Sequence, residues 1–386
     1  MTGKEHRALP SAGHDGIANE ADVGRDLRLD ACRGIALWFV FINHIPDNVC
    51  SWLTLNHYGF SDTTEIFMFI SGVTCALAYG KIQRSYGWWA AVSHTLRRSW
   101  DIYVAFLTLI IAIVIAVYVN GNDDFADWTN VAILLQQPDA AIAHAAILQY
   151  RPVNTDVLPT FILFHLWFAG LLWLLVKIPD VALAMSFLLY LLVHVFDWNL
   201  PQWPGNDWYF NPFAWQLLVV FGAWWVVGGR KRLKWLVTSP VPVTLAILYL
   251  LFALFVALGW SIKPLETMLP RTIASMIYPI DKSDLDALRL AHFLAIAILV
   301  ARFVPEKWEG LANPVLRAAI RCGENSLEIY CLGVLLSLGA HMMLVRISGG
   351  VTAQIVLSAT GVLMLVAFAT WSTWIGIASR QHPKLF

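Results

Sequence analysis

Two ionisable residues, Arg33 and His44, interrupt the apolar stretch RGIALWFVFINHIP near the start of the chain. They are eleven positions apart, so on a helix they share one face, within about 20° of each other and roughly 16 Å apart along the axis. Ionisable groups inside a membrane usually face a cavity or a partner. The histidine can then act as a general base and the arginine can bind an anion. Two packing alternatives stay open, namely pairing of Arg33 with Asp30 and hydrogen-bonded packing of His44.

A carboxylate, Glu65, lies near the outer end of a second apolar stretch, SDTTEIFMFISGVTCALAYG at 61–80. We expect it at about the depth of His44, where it can hold the imidazole in one tautomer or stabilise its cation. The two residues therefore predict a general base with an acidic partner. The alternative is that Glu65 compensates the dipole at the first turn of its helix.

Cationic side chains are concentrated in KIQRSYGWWAAVSHTLRRSWDIY, residues 81–103. Arg84, Arg97 and Arg98 can clamp an anionic cofactor, because guanidinium groups form forked hydrogen bonds with phosphates. The same residues also fit the excess of Lys and Arg that cytoplasmic connections carry. Both interpretations stay open.

The composition indicates which elements must position these residues. Of 386 residues, 58% are hydrophobic and 13% are charged, and the mean hydropathy is +0.62. A soluble domain usually carries about 25% charged residues, so the sequence predicts an all-α, polytopic integral membrane protein. The formal net charge is +0, which excludes the basic surface that nucleic-acid binding needs. The five scattered cysteines have no metal-ligand spacing, so no metal is predicted.

Ten apolar runs are long enough to cross a bilayer as helices. If the N-terminus is placed in the cytosol, most Lys and Arg residues fall in cytosolic connections, as the orientation rule for membrane proteins requires. An even number of spans then places the C-terminus in the cytosol as well. Residues 1–24 are expected to form a disordered cytosolic tail, and 25–386 a single transmembrane domain. The ten runs are 29–46, 64–80, 99–119, 157–176, 180–196, 212–229, 241–260, 285–303, 325–345 and 351–377.

Two polar patterns fall on the predicted outer side. Asp286, Arg289 and His292 recur every three residues at the outer end of the eighth run, where they can contact a sugar or an acyl carboxylate. A buried, salt-bridged helix entrance is the alternative. Trp203 and Trp208 belong to the aromatic connection DWNLPQWPGNDWYFNP. Their flat rings suit either a carbohydrate platform or the membrane interface.

With these motifs the sequence resembles the OpgC proteins, which are membrane succinyltransferases of osmoregulated periplasmic glucans within the acyltransferase-3 superfamily. The superfamily's Arg-x10-His signature corresponds to Arg33 and His44, and its acidic position before FxFxSG to Glu65. Asn43 departs from the pattern, since many members have Asp before the histidine. The resemblance covers essentially all of the chain after the N-terminal tail. It rests on RDLRLDACRGIALWFVFINHIP, LTLNHYGFSDTTEIFMFISGVTCALAYG, DVLPTFI, WYFNPFAWQLLVVFGAW, LRLAHFLAIAILVARFVP and GENSLEIYCLGVLLSLGAH, in this order.

The resemblance implies an O-acyltransferase of the bacterial inner membrane. Its co-substrate would be acyl-CoA from the cytosol, with succinyl-CoA favoured, and its acceptor a hydroxyl of a periplasmic glucan. His44 would be the general base with Glu65 orienting it, or His44 would itself be acylated first. The acyl-CoA would be bound by Arg33, Arg84, Arg97 and Arg98. The acceptor would be bound by Asp286, Arg289, His292, Trp203 and Trp208.

Alternatives of two kinds remain open at this level. The acyl group can be acetyl or another group, with a surface or lipid-linked polysaccharide as acceptor. A transporter is the other alternative, in which Arg33, Glu65, Asp286 and Arg289 line a route. Transporters commonly contain paired repeats with broken helices, and the sequence contains none. Membrane lipid is an expected partner, and a homo-oligomer is compatible with the sequence without being specified by it.

Overall fold

The computed structural model describes residues 26–120, 123–260, 262–266, 268, 270–306 and 308–381. Within these residues the chain is helical almost throughout, and the strands are two segments of two residues that pair antiparallel, β1 (Pro201–Gln202) and β2 (Asn206–Asp207). The predicted all-α class is therefore confirmed. The predicted tail, residues 1–24, lies outside the described part of the chain.

The α-helices are numbered in chain order, and 3-10 turns at Val49–Leu53, Leu55–His57 and Glu309–Ala312 add to them. A π-helical turn at Trp225–Gly229 joins α9 to α10. The helices are α1 (Leu27–Asn43), α2 (Thr63–Tyr86), α3 (Trp88–Asn120), α4 (Asp123–Trp128), α5 (Ala132–Gln136), α6 (Pro138–Ala146), α7 (Val157–Lys177), α8 (Pro179–Phe196), α9 (Pro212–Trp224), α10 (Arg230–Arg232), α11 (Lys234–Thr238), α12 (Pro240–Gly259), α13 (Lys263–Glu266), α14 (Arg271–Ile277), α15 (Ala287–Phe303), α16 (Pro314–Glu324), α17 (Ser326–Arg346) and α18 (Val351–Gln381).

Each of the ten predicted spans corresponds to one of these helices. In the described residues, eight helices have the length and apolarity to cross a membrane. The other two, α1 and α15, have 17 residues each, which is about 26 Å and close to the thickness of the hydrocarbon core. The chain is thus a multi-pass membrane protein.

Small residues bring two pairs of helices into close contact. A Cβ atom on Gly34 of α1 would lie 1.8 Å from the carbonyl oxygen of Ala319 in α16. A Cβ atom on Gly72 of α2 would lie 2.0 Å from the carbonyl oxygen of Val219 in α9. Glycine lets membrane helices approach backbone to backbone in this way. These two contacts fix α1 and α2, the helices that carry the predicted site.

Five helices surround the centre of the molecule: α1, α2, α3, α7 and α17 contribute side chains to one cavity. Helix α16 packs against the outside of α1, and α9 packs against the outside of α2. The connection between α1 and α2 and the segments that precede α7, α9 and α15 also line the cavity. The cavity is therefore built from helices that are distant in sequence.

Candidate active site

A cavity of about 740 Å³ lies between these five helices. Ligand sites in proteins are typically of this size. Arg33 and His44 both line it, so the two side chains share a cavity as their helical spacing predicts. The rise of α1 separates them by roughly 16 Å, which makes the cavity an elongated one with two chemically different ends.

The end near Arg33 is cationic. Arg33 donates a hydrogen bond from Nη2 to Oγ1 of Thr74 across 3.0 Å, and Arg98 of α3 lines the same cavity. Arg84 and Arg97 are exposed and do not line it. Of the four arginines that were predicted to bind the donor, two therefore face the cavity and two lie outside it.

The other end contains His44, which directly follows α1 and donates its backbone N–H to the carbonyl of Val40 across 3.0 Å. Its Nδ1 atom is buried and has no hydrogen-bond partner among the described residues. Nε2 is therefore the ring nitrogen that can meet a substrate. Next to it, the side-chain oxygen of Asn43 accepts a hydrogen bond from Thr54 across 2.9 Å, which holds that amide in place.

Asp62 and Lys282 line the same cavity and interact electrostatically with His44. Oδ2 of Asp62 accepts a hydrogen bond from Lys282 Nζ across 2.5 Å and lies 3.3 Å from Nη2 of Arg289. Its Oδ1 accepts the backbone N–H of Thr64 across 2.8 Å. Burial alone would raise the pKa of Asp62, but Lys282 and Arg289 outweigh it and hold that pKa well below its usual value. Asp62 is therefore an anion at neutral pH.

The predicted contact between Glu65 and His44 is wrong. Glu65 is 0% exposed and does not line the cavity. Its Oε2 accepts the backbone N–H of Asp62 across 2.9 Å, which completes a capping box at the start of α2. Its Oε1 lies 2.7 Å from Nη2 of Arg289. Asp62, three positions before Glu65, lines the cavity and interacts electrostatically with His44.

The three polar residues at the start of α15 lie outside the cavity, contrary to the predicted role in acceptor binding. Asp286 caps the helix and accepts the backbone N–H of Leu288 across 2.7 Å. Arg289 is 7% exposed and is ion-paired as described. His292 is 3% exposed, and its Nδ1 lies 2.7 Å from Oγ of Ser61. The alternative, a buried and salt-bridged helix entrance, is the arrangement that the structure has.

Neither of the two tryptophans predicted as a carbohydrate platform, Trp203 and Trp208, lines the cavity. Trp208 is 3% exposed, and the guanidinium of Arg151 covers its ring at 4.4 Å from the ring centre. The ring of Trp203 stacks on His144 with 5.0 Å between the centres. Both tryptophans pack within the connections on their side of the bundle.

Among the residues that the structure describes, no three His, Cys, Asp or Glu side chains are grouped as a metal site would require.

The family model described as "OpgC protein" matches residues 25–377 of the chain. The chain belongs to the OpgC family. No curated protein and no solved structure gives a significant match.

All five helices that line the cavity fall within the part that matches the OpgC family. Several cavity residues of this OpgC-family chain were not identified from the sequence. Asp62 was not identified as a cavity residue because SDTTE is a capping-box pattern, which accounts for Asp62 as a helix cap alone. Lys282 lies in a connection, where no helical periodicity marks it. Asp156, which precedes α7, also lines the cavity, and burial raises its pKa although Arg151 lies 3.9 Å away.

Proposed function

We propose that this OpgC-family chain is a membrane O-acyltransferase that moves a succinyl group from cytosolic acyl-CoA to a hydroxyl of a periplasmic glucan. The proposal depends mainly on one cavity, which has Arg33 and Arg98 at one end and His44 at the other. Membership of the OpgC family supports acyl transfer. In the proposed orientation the start of α1 faces the cytosol of a bacterial inner membrane, since Lys and Arg accumulate on that side.

The donor would enter at the cationic end. Arg33 and Arg98 line the cavity there, and guanidinium groups bind phosphate and carbonyl oxygens strongly. The exposed Arg84 and Arg97 would meet the phosphates of the nucleotide outside the cavity. The pantetheine arm would follow the polar face of α1, which brings the thioester to His44. The large acceptor then does not need to cross the bilayer.

The chemical step would take place at His44. Nε2 removes the proton of the acceptor hydroxyl while the hydroxyl oxygen attacks the carbonyl carbon of the thioester. A carbon–oxygen bond forms, the carbon–sulfur bond breaks, and the proton passes from the imidazole to the CoA sulfur. A route in which His44 is acylated first would use the same residues. Asp62 would place a fixed negative charge near the imidazole, and Glu65 and Arg289 would hold Asp62 in position.

The position of Lys282 favours an acyl group that carries a second, free carboxylate. The ammonium of this lysine lines the cavity with 28% of the side chain exposed, and among the described residues it donates one hydrogen bond, to Asp62. The rings of Tyr209 and Phe210 lie 5.8 Å and 5.6 Å from Nζ. An ammonium has three donors, so two remain for the free carboxylate of a succinyl group. Arg289, to which the sequence had assigned this contact, is buried and ion-paired. We therefore assign the recognition of the acyl carboxylate to Lys282.

Mass spectrometry of periplasmic glucans from cells with and without the protein tests the proposal. We expect glucans from cells without it to lose an anionic succinyl substituent, and wild-type protein but not His44→Ala to restore that substituent. A neutral acetyl substituent in its place would overturn the assignment of the donor and of Lys282. Identical glucans with and without the protein would overturn the proposed acceptor.

A further inference from the structure

A groove of about 600 Å³ adjoins the His44 end of the cavity. The connection between α1 and α2 forms most of it, and the first turn of α18 closes one side. Two amide side chains, Asn43 and Asn56, line both the groove and the cavity. A ligand that lies in the groove therefore reaches the position where His44 meets its substrate.

Hydrogen bonds between distant segments fix the walls of this groove. Asn48 is 3% exposed and donates from Nδ2 to the carbonyl of Ile42 across 3.2 Å and to Ser358 of α18 across 2.9 Å. The backbone N–H of Val49 donates to Oε1 of Gln354 across 2.7 Å. Buried amides bonded in this way hold a loop in one arrangement. The groove is thus a preformed feature of the fold.

An aromatic pair forms part of the wall. The rings of Trp52 and His57 stack with 4.6 Å between the centres and an angle of 11°. Oγ of Ser51 lies 2.9 Å from Nε2 of His57, which fixes the histidine ring. Trp52 is nevertheless 39% exposed. A large, rigid ring that remains accessible beside a cavity is available for a ligand with a flat apolar face.

The polar groups of the groove are mainly neutral. Its described lining contains amides, a hydroxyl, the imidazole of His57, one carboxylate, Asp47, and no Lys or Arg. Such a surface lacks the cations that a phosphate or a CoA needs. Asn48 and Gln354 bond within the wall, so the amides of Asn43 and Asn56 are the ones that match the hydroxyls of a sugar. The exposed tryptophan matches the C–H face of a pyranose ring.

We infer that this groove is a binding subsite for neutral sugar residues of the acceptor, next to the residue that is acylated, with Trp52 as its stacking platform. The inference rests on the proposed function for the choice of a glucan. It replaces the platform at Trp203 and Trp208 that the sequence had suggested. The groove would position the acceptor chain, while His44 carries out the chemistry.

Trp52→Ala tests the subsite, with glucose oligosaccharides as acceptors for the purified enzyme in detergent. We expect the KM for the oligosaccharide to rise about tenfold, since one aromatic stacking contact contributes about that much. The value of kcat and the slow hydrolysis of acyl-CoA without acceptor should stay unchanged. Trp52→Phe should restore most of the affinity because it keeps a flat ring.

The matched control is Trp198→Ala. Trp198 is 46% exposed and stacks on Phe196 at 5.4 Å, but it does not line the groove. We expect its KM to equal that of the wild type. Thermal unfolding of each variant shows whether the fold is retained. If the Ala variant is unstable, Trp52→Leu replaces it, because leucine keeps an apolar side chain but lacks a flat ring, and its KM should also rise relative to that of Trp52→Phe.

The outcomes distinguish failure of the subsite from failure of the proposed function. Acyl transfer with an unchanged KM in Trp52→Ala would overturn the subsite and leave the proposed function intact. If the wild type transfers nothing to glucose oligosaccharides but binds them in a Trp52-dependent way, as measured by calorimetry, the subsite stands and the proposed function fails. If the wild type neither transfers to them nor binds them, both are overturned.

Discussion

Arg289 and Glu65 form a buried ion pair, with 2.7 Å between Nη2 and Oε1. The same Nη2 atom lies 3.3 Å from Oδ2 of Asp62, so one guanidinium links two carboxylates at the start of α2. Only Asp62 of these three residues lines the cavity. The ion pair therefore lies behind the site and supports the residue that faces it.

We expect Glu65→Ala to lower the free energy of unfolding by about 3–5 kcal/mol, because it leaves the guanidinium of Arg289 buried without its main partner. Thermal or chemical unfolding of the purified protein measures this loss. Glu306→Ala is the matched control. Its carboxylate is 37% exposed, pairs with the exposed Arg230 and lies 3.5 Å from Arg28, so we expect a change within about 1 kcal/mol. Native stability of Glu65→Ala would show instead that the buried guanidinium of Arg289 does not depend on this carboxylate.

Lys282→Ala should change the choice of donor. Without the ammonium, the free carboxylate of a succinyl group loses a charged hydrogen bond, and we expect the preference for succinyl-CoA over acetyl-CoA to fall at least about tenfold. Lys282→Arg keeps the positive charge and should keep most of the preference. Competition between the two donors, followed by mass spectrometry of the product, measures it. An unchanged preference in Lys282→Ala would rule out this contact.

Arg98→Ala should weaken donor binding more than Arg97→Ala. Arg98 lines the cavity, whereas its neighbour Arg97 is exposed. Loss of a hydrogen bond between charged groups inside the cavity should raise the KM for acyl-CoA by about tenfold or more. The effect of Arg97→Ala should be below about fivefold and should shrink with added salt, because exposed charges are screened. The opposite order of the two effects would place the donor outside the cavity.

Gly34→Ala should destabilise the protein by about 1–3 kcal/mol, because the added methyl group overlaps the backbone of α16. Its Cβ would lie 1.8 Å from the carbonyl oxygen of Ala319. Gly170→Ala is the control, since a Cβ there has no neighbour within 4 Å. That change should be neutral or stabilising by up to about 1 kcal/mol. Equal unfolding temperatures for both variants would mean that α1 and α16 do not pack as closely as described.

The helices could be predicted from the sequence because each crosses a hydrophobic layer of nearly constant thickness, which imposes runs of similar length. All ten predicted runs correspond to helices of the structure. The common cavity of Arg33 and His44 was also predictable, since both lie on one helix, where 3.6 residues per turn set their relative direction.

Contacts between different helices were not predictable in the same way. Lys282 reaches Asp62 over 220 positions of sequence, and no periodicity within one helix encodes such a pair. Glu65 and His44 were expected to meet because they lie at similar depth, but depth does not fix the rotation of α2 about its axis. The ring of Trp208 was expected at the surface, whereas the buried Arg151 from another connection covers it.

In the proposed mechanism, His44 receives the proton of the acceptor hydroxyl at the end of the cavity opposite Arg33. This step is tested most directly by acyl transfer from labelled succinyl-CoA to glucan in isolated membranes that contain His44→Ala. The control is His194→Ala, because His194 bonds only to the backbone of Tyr190 among the described residues and lies outside the cavity. We predict that His44→Ala lowers the rate by a factor of about 10²–10⁴, as loss of a general base does, while His194→Ala keeps the wild-type rate. Transfer at the wild-type rate by correctly folded His44→Ala would rule out His44 as the general base.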